Sequence, residues 1–304
     1  MSDSISSKNF WLNIDKPYGY SSAKIVAIVK KLTGARKVGH AGTLDPLATG
    51  VLPIAINQAT KTCQYITDSD KKYYFKISWG EFRDTDDLEG KVIKSDNKRP
   101  KTSDIIATLP NFIGQIEQIP PQFSAIKVNG KKAYQIARNN GYIDLKPRQI
   151  KIYDIKLISN SNINAEFEIA CSKGTYIRSF ARDLALKLGC CGYICALRRL
   201  KVGNFTIKNI ISLDKLKNIV KYDYPNGLCS DFYLNLRDVL SFMPEIEFNY
   251  IDALKIKNGQ IIKVNKSLLQ KSSKLIVKII YGHDIIGLGR LESDHLKPVN
   301  IFNN

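Results

Sequence analysis

Residues Gly39 to Leu52 read GHAGTLDPLATGVL, and no other stretch restricts the fold of this chain so tightly. Its only carboxylate is Asp45, with Leu44 before it and Pro46 and Leu47 after it. A residue that precedes proline is pushed out of the α region, so Asp45 is expected on a loop or strand end and outside any helix. Gly39, Gly42 and Gly50 permit tight turns and close backbone approach on both sides. The run therefore reads as a loop that sets one acid group among apolar neighbours. Two roles fit that acid. Asp-Pro initiates turns, and a capping aspartate satisfies the pattern; chemistry at Asp45 satisfies it equally.

The segments around the loop alternate between strand and helix. Phe10 to Asp15 reads as a strand and runs into Lys16-Pro17-Tyr18-Gly19-Tyr20-Ser21-Ser22, a turn ending in helix-capping serines. Ile25, Ile28, Val29 and Leu32 follow the spacing of an amphipathic helix that Gly34 can stop. Tyr73 to Trp79 reads as a strand. Gly130 and Gly141 bracket a short helix. Ile163, Ala165, Phe167, Ile169 and Cys171 alternate as one strand face, and Ile177, Phe180, Ala181, Leu184 and Leu188 form a helix face closed by Gly189. Residues 197–207 read as a strand again. Strands that outnumber helices, with short connections, predict an α+β domain on a mostly antiparallel sheet. Pro225–Asp238 reads as a linker, and from Pro244 the pattern predicts short strands with Asn258-Gly259 and Tyr281-Gly282 turns.

Charge narrows the partner. The 304 residues carry 46 Lys+Arg against 28 Asp+Glu, a net charge of +18, which favours nucleic acid over an anionic membrane surface. The tail from Pro244 has nine basic and six acidic residues, so most of the excess lies earlier. Lysine enrichment by compositional drift, in a chain also rich in Ile and Asn, is the alternative reading of that excess. Six cysteines (63, 171, 190, 191, 195, 229) form no Cys-x-x-Cys pair, and the three histidines lie far from them, so no zinc spacing exists. Cys190-Cys191 read as reduced core residues. The acidic run Asp84-Thr85-Asp86-Asp87-Leu88-Glu89-Gly90 fails the EF-hand pattern and reads as a solvated turn. Without an 18-residue apolar run or a hydrophobic leader, neither a membrane span nor a signal peptide is expected; a soluble cytoplasmic protein is.

The fourteen-residue run resembles, without a break, the signature of the bacterial tRNA pseudouridine-55 synthase family. Asp15-Lys16-Pro17, Asp84-Thr85-Asp86-Asp87, Pro120 to Lys127, Lys173 to Arg178 and Leu197 to Leu200 resemble further family segments in the same order. The resemblance implies the pseudouridine synthase fold, with flanking helices, over residues 1–240. For 241–304 it implies a small β-rich PUA-like RNA-binding domain. It also implies isomerisation of uridine 55 in the T-arm loop of tRNA: the N1–C1′ bond breaks, the flipped-out uracil rotates, and C5 bonds to C1′. No redox change or hydrolysis occurs, so no cofactor or metal is called for. One carboxylate suffices, as nucleophile at C1′ or as base at C2′, whereas a glycosidase needs a second to activate water.

The resemblance assigns Asp45 as the essential carboxylate. It places Arg178 against Asp45, Tyr73 stacked on the target uracil, Tyr176 and Leu197 along the pocket, and His40 in the RNA loop near the space the base vacates. Read without the family, Arg178 is a solvent or phosphate contact, Tyr73 and Leu197 are core, and His40 is a turn residue. Tyr74 leaves a one-residue register shift open. Lys16 is a turn residue or a phosphate contact. Arg36, Lys37, Lys61 and Lys127 are candidate phosphate contacts along the cleft. The expected partner is tRNA, bound by a monomer with no protein partner and no membrane. Two alternatives share these features: an RNA-guided pseudouridine synthase subunit, and a non-catalytic RNA-binding protein or chaperone.

Overall fold

A computed structural model describes residues 6–124, 126–128, 130–138, 143–223, 232–264 and 275–302. Strand β1 (Phe10–Lys16) turns into helix α1 (Ser22–Thr33), followed by β2 (Val38–His40) and β3 (Thr49–Ile56). After α2 (Cys63–Thr67) come β4 (Lys71–Trp79), the hairpin β5 (Glu81–Arg83) and β6 (Val92–Ser95), α3 (Thr102–Thr108) and β7 (Gly114–Gln118). The small hairpin β8 (Lys127–Val128) and β9 (Lys131–Lys132) precedes α4 (Ala133–Arg138). The antiparallel pair β10 (Arg148–Asn160) and β11 (Asn164–Cys171) leads to α5 (Ile177–Lys187), β12 (Gly192–Val202), β13 (Phe205–Thr206) and α6 (Leu213–Asn218). The C-terminal part holds β14 (Tyr233–Leu234), α7 (Leu236–Val239), β15 (Glu245–Glu247), α8 (Tyr250–Lys257), β16 (Ile262–Lys263), β17 (Leu275–Tyr281), β18 (Asp284–Glu292) and β19 (His295–Ile301).

Ten strands form one mixed sheet in the order β14-β1-β3-β12-β4-β11-β10-β7, with β2 added to β3 and β13 to β12. Every pairing is antiparallel except β3 with β12, where Thr49 faces Arg198 and Gly50 faces Arg199. The expected α+β class on a mostly antiparallel sheet is what the chain adopts. A five-stranded sheet, β15-β17-β18-β19-β16, follows it.

Phe10 to Asp15 is expected to alternate, but β1 is buried on both faces, as is β3. Phe10, Leu12 and Ile14 of β1 join Leu52, Ile54 and Ile56 of β3 in the main core beside Ile25 and Val29 of α1. On the opposite face Trp11, Val51 and Ala55 pack with Phe205, Leu236, Leu240 and Met243, and this apolar seam reaches Leu288 and Phe302 of the second sheet. Removing that area from water at roughly 25 cal/mol per Å² is what fastens the C-terminal strands to the large sheet.

Several expectations shift. The serine pair reads as two caps, but only Ser21 caps α1, accepting from the Lys24 N–H, while Ser22 is buried and faces inward. The face of β11 is buried from Ala165 to Cys171, yet Ile163 is 69% exposed in the hairpin turn. Asn258-Gly259 ends a helix, α8, rather than joining two strands. That error has a plain cause: Asn249 caps the helix by accepting from Asp252, and a Gly in the left-handed region ends helices as readily as it turns hairpins. Gly141 and the first half of the linker expected at Pro225–Asp238, up to residue 231, lie outside the described residues; the second half is no linker, since Tyr233–Leu234 pair with β1 as β14 and Asn235 caps α7.

Candidate active site

The loop carrying Asp45 is tied down on every side of that residue. Ser22 Oγ accepts from the Leu44 N–H at 2.8 Å and donates to the Leu44 carbonyl at 3.0 Å, which fixes the residue before it. Lys16 Nζ donates to the carbonyls of Pro46 (3.1 Å), Tyr20 (2.6 Å) and Pro17 (2.9 Å), which fixes the residue after it. Lys16 is fully buried, so its role is structural, and burial pulls its ammonium down to about 8 against the raising effect of Asp45.

Upstream, the loop is moulded on Arg199. This guanidinium, 1% exposed, donates to the carbonyls of Gly42 (2.9 Å) and Val51 (2.8 Å) and meets the Tyr73 hydroxyl. A Cβ on Gly42 would stand 3.3 Å from Arg199 Nη1, and one on Gly50 would stand 2.3 Å from the Arg199 carbonyl oxygen. Two of the signature glycines thus exist to let β12 and its arginine lie against the loop.

Helix α5 opens directly behind Asp45. Tyr176 precedes its first residue, and its backbone is bracketed by Gln118, which donates to the Tyr176 carbonyl (3.1 Å) and accepts from its N–H (2.8 Å). Arg178 in the first turn places Nε 2.9 Å from Asp45 Oδ2. The Nε–H has no aligned hydrogen-bond acceptor, so the contact is one of charge more than of hydrogen bonding. Nη1 donates to Thr85 O (2.9 Å) and lies 3.6 Å from Asp87 Oδ2, and Nη2 donates to Phe123 O (3.0 Å).

Burial works against the charge on Arg178, but Asp45, Asp87 and Asp86 together hold its guanidinium above the ordinary range. The acidic turn is therefore not solvated throughout: Asp86 and Asp87 face inward, while Leu88 and Glu89 stay exposed. Asp87 is buried, its carboxyl raised by burial and partly brought back by Thr85 and Arg178. The turn also pairs with β12, where Leu88 N–H donates to Ile194 O at 2.9 Å. A charge run is usually solvated; these two acids are inward because two arginines of α5 meet them.

These groups surround a cleft of about 570 Å³ whose wall includes Asp45, Tyr73, Tyr176, Arg178 and Leu197. Five of the six expected site residues meet there. Tyr73, not Tyr74, faces the interior, and burial pushes its phenol to about 12. Leu197 sits opposite Phe75 across β12 and β4. His40 stands apart, two residues before Gly42 at the end of β2. Burial and then Arg199 lower its imidazole pKa, and its Nδ1 has no hydrogen-bond partner among the described residues.

Asp68, the other carboxylate on the wall, is tied to Lys173 at 3.0 Å. Arg36, Lys37 and Lys61 line a separate polar depression, and Lys61 donates to Ile301 O at 2.7 Å; the side chain of Lys127 is outside the described set. The cations on the cleft itself are Lys71, Arg148, Lys173, Arg178 and Arg199, of which only Arg178 stands out in the sequence. One carboxylate held by a buried guanidinium, between apolar and phenolic walls in a basic cleft, can attack or deprotonate a sugar whose flat, neutral ring substituent lies between those walls.

Known proteins carry the same arrangement of sequence. Residues 30–177 match the TruB family pseudouridylate synthase N-terminal domain, and 178–241 match the tRNA pseudouridylate synthase B C-terminal domain. The chain is 44% identical to tRNA pseudouridine synthase B of Ehrlichia ruminantium (strain Gardel), over 96% of this chain and 99% of that protein. Against the same enzyme of Anaplasma phagocytophilum (strain HZ) it is 42% identical, over 97% and 99%. The archaeal box H/ACA sRNP Nop10-Cbf5 complex contains a chain that superposes with a TM-score of 0.74 at 20% identity, over 97% of this chain and 86% of that one, a likeness of fold alone.

Proposed function

The chain belongs to the TruB family of pseudouridylate synthases, and from that premise we propose that it isomerises uridine 55 in the T-arm loop of tRNA to pseudouridine. The single observation that carries the chemistry is the ion pair of Asp45 with Arg178 at the cleft wall. Asp45 is the essential carboxylate, acting at C1′ as nucleophile or at C2′ as base. Either way the ring leaves with the electron pair of the N1–C1′ bond. It then re-bonds through C5, which displaces the Asp45 carboxylate from C1′ in the first route and returns the proton from Asp45 to C2′ in the second; the C5 proton is exchanged for one on N1, so product and substrate are isomers. Arg178 sets its guanidinium 2.9 Å from the Asp45 carboxylate and holds it in place at the cleft wall.

Tyr73 supplies a stacking surface worth about 1–3 kcal/mol, which retains the detached ring while it turns. Tyr176 and Leu197 close the sides, and His40 contacts the RNA loop beside the cleft. Extruding the target base costs a few kcal/mol, offset by phosphate contacts to cations on the rim such as Arg148 and Lys173. Residues 1–240 form the catalytic domain and 241–304 a PUA-like RNA-binding domain. The family match to 241, and the start of the second sheet at Glu245, support that boundary. A monomer acting on bare tRNA in the cytoplasm completes the reading.

The test is to incubate the purified chain with unmodified tRNA and map the modified uridines. Pseudouridine confined to position 55 is expected. Modification that requires an added guide RNA would favour the RNA-guided alternative, and none at all would favour a non-catalytic RNA binder.

A further inference from the structure

Helix α5 presents two arginines one turn apart on the same face, and the second has no part in the chemistry above. Arg178 reaches Asp87 and the Phe123 carbonyl. Arg182 repeats the pattern one step along: Nη1 binds Asp86 Oδ2 at 3.0 Å, and Nη2 donates to the Ile119 carbonyl at 2.9 Å. Consecutive carboxylates of the acidic turn and two carbonyls of one strap, residues 119–124, are thereby stapled to a single helix. Gln118, just before the strap, holds Tyr176, and Ser124, at its end, lines the cleft. Arg148, the first residue of β10, lines the cleft as well.

Asp86 sits there at a double cost. Its φ of 59° is in the left-handed region, which Asp tolerates better than most side chains but which still carries some strain. Its carboxyl is 12% exposed, and burial, opposed by Arg182 and Arg178, leaves it raised to about 6. Strain and a buried charge at one residue persist where something other than stability retains them.

We propose that Arg182 is a positioning residue for RNA capture: by holding the Asp86 carboxylate and the Ile119 carbonyl together, it docks the 119–124 strap against the cleft before RNA arrives. This rests on the reading of the chain as a tRNA uridine isomerase. Docking in advance removes an ordering cost from binding and leaves the bound complex unchanged, so it acts on affinity rather than on the chemical step.

Single-turnover pseudouridine formation, measured against enzyme concentration with unmodified tRNA, separates the two. For Arg182→Met the half-saturating concentration should rise about tenfold while the saturating rate stays within about threefold. Asp86→Asn should move the same way, and the double variant should be no worse than Arg182→Met. Asp86→Asn carries the test alone if Arg182→Met does not fold. A purely structural role would only reduce the folded fraction, which raises the apparent half-saturation in proportion to the protein lost; half-saturation that returns to the unaltered value once concentrations are corrected for the folded fraction measured by circular dichroism, or unchanged behaviour in both variants, overturns the proposal. Failure of the unaltered protein to form pseudouridine would instead remove the functional reading, and the proposal with it.

Discussion

Gly50 lies so close to Arg199 that a Cβ at position 50 would stand 2.3 Å from the Arg199 carbonyl oxygen. Backbone cannot swing aside as a flexible side chain can, and Gly50 also has a φ of 96°. Gly50→Ala should therefore lower stability by about 3 kcal/mol or more, because left-handed strain adds to a forced separation of β3 from β12. Gly42→Ala meets only the end of the Arg199 side chain, at 3.3 Å, and should cost about 1–2 kcal/mol. Urea denaturation of the two variants checks the order; equal losses would contradict it.

The two pins on either side of Asp45 should matter to rate more than to binding. Ser22→Ala frees the backbone of Leu44 and Lys16→Met frees the carbonyl of Pro46. Each should slow single-turnover conversion by about ten- to a hundredfold, since a small misplacement of a reacting group is enough for that. Filter binding of tRNA should change little. A loss of affinity as large as the loss of rate would place these residues in RNA contact instead.

Stability should respond to pH through Asp86. The groups facing its carboxyl are Arg182 and Arg178, which favour the charge, and Asp183 and Asp87, which oppose it. Its folded pKa, about 6, lies above the unfolded value of 3.8. The stability from this group is therefore fully present below 3.8 and lost as pH rises through 6. Asp86→Asn has no such loss, so its stability relative to the unaltered protein should improve by about 2 kcal/mol between pH 4.5 and 7.5. Thermal melts at those two pH values measure the difference; parallel curves would show that Asp86 does not titrate as stated.

Binding to tRNA should weaken steeply with salt, because cations on the cleft and an overall charge of +18 act through phosphate neutralisation. Between 50 and 200 mM salt a loss of about a hundredfold or more is expected if several phosphates are engaged. A flat response would mean that the basic excess faces away from RNA.

Much of this site is legible in the residues, and what is not has a physical pattern. Asp45, its loop and its glycines are contiguous, so one segment displays them. Tyr73, Tyr176, Arg178 and Leu197 are spread over three elements and read individually as core or surface; only the family's order of motifs brings them together. Arg199 is missed because a basic residue on a strand looks exposed, whereas the parallel pairing of β12 with β3 turns it inward beneath Gly42.

Asp86 and Asp87 are misread because a run of acids is soluble by default, and the arginines that bury it lie some ninety residues away on α5. Ser22 reads as a cap because its partner, the backbone of Leu44, leaves no mark in a side-chain pattern. Local signals such as capping, turn glycines and alternation give the elements, and long-range pairing decides which polar groups become the machinery.

The most direct measurement is single-turnover pseudouridine formation by Asp45→Asn on unmodified tRNA, with tRNA binding followed in parallel. Binding close to that of the unaltered chain, with no pseudouridine at position 55, is the expected result. Pseudouridine formed at the unaltered rate would show that Asp45 is not the reacting carboxylate.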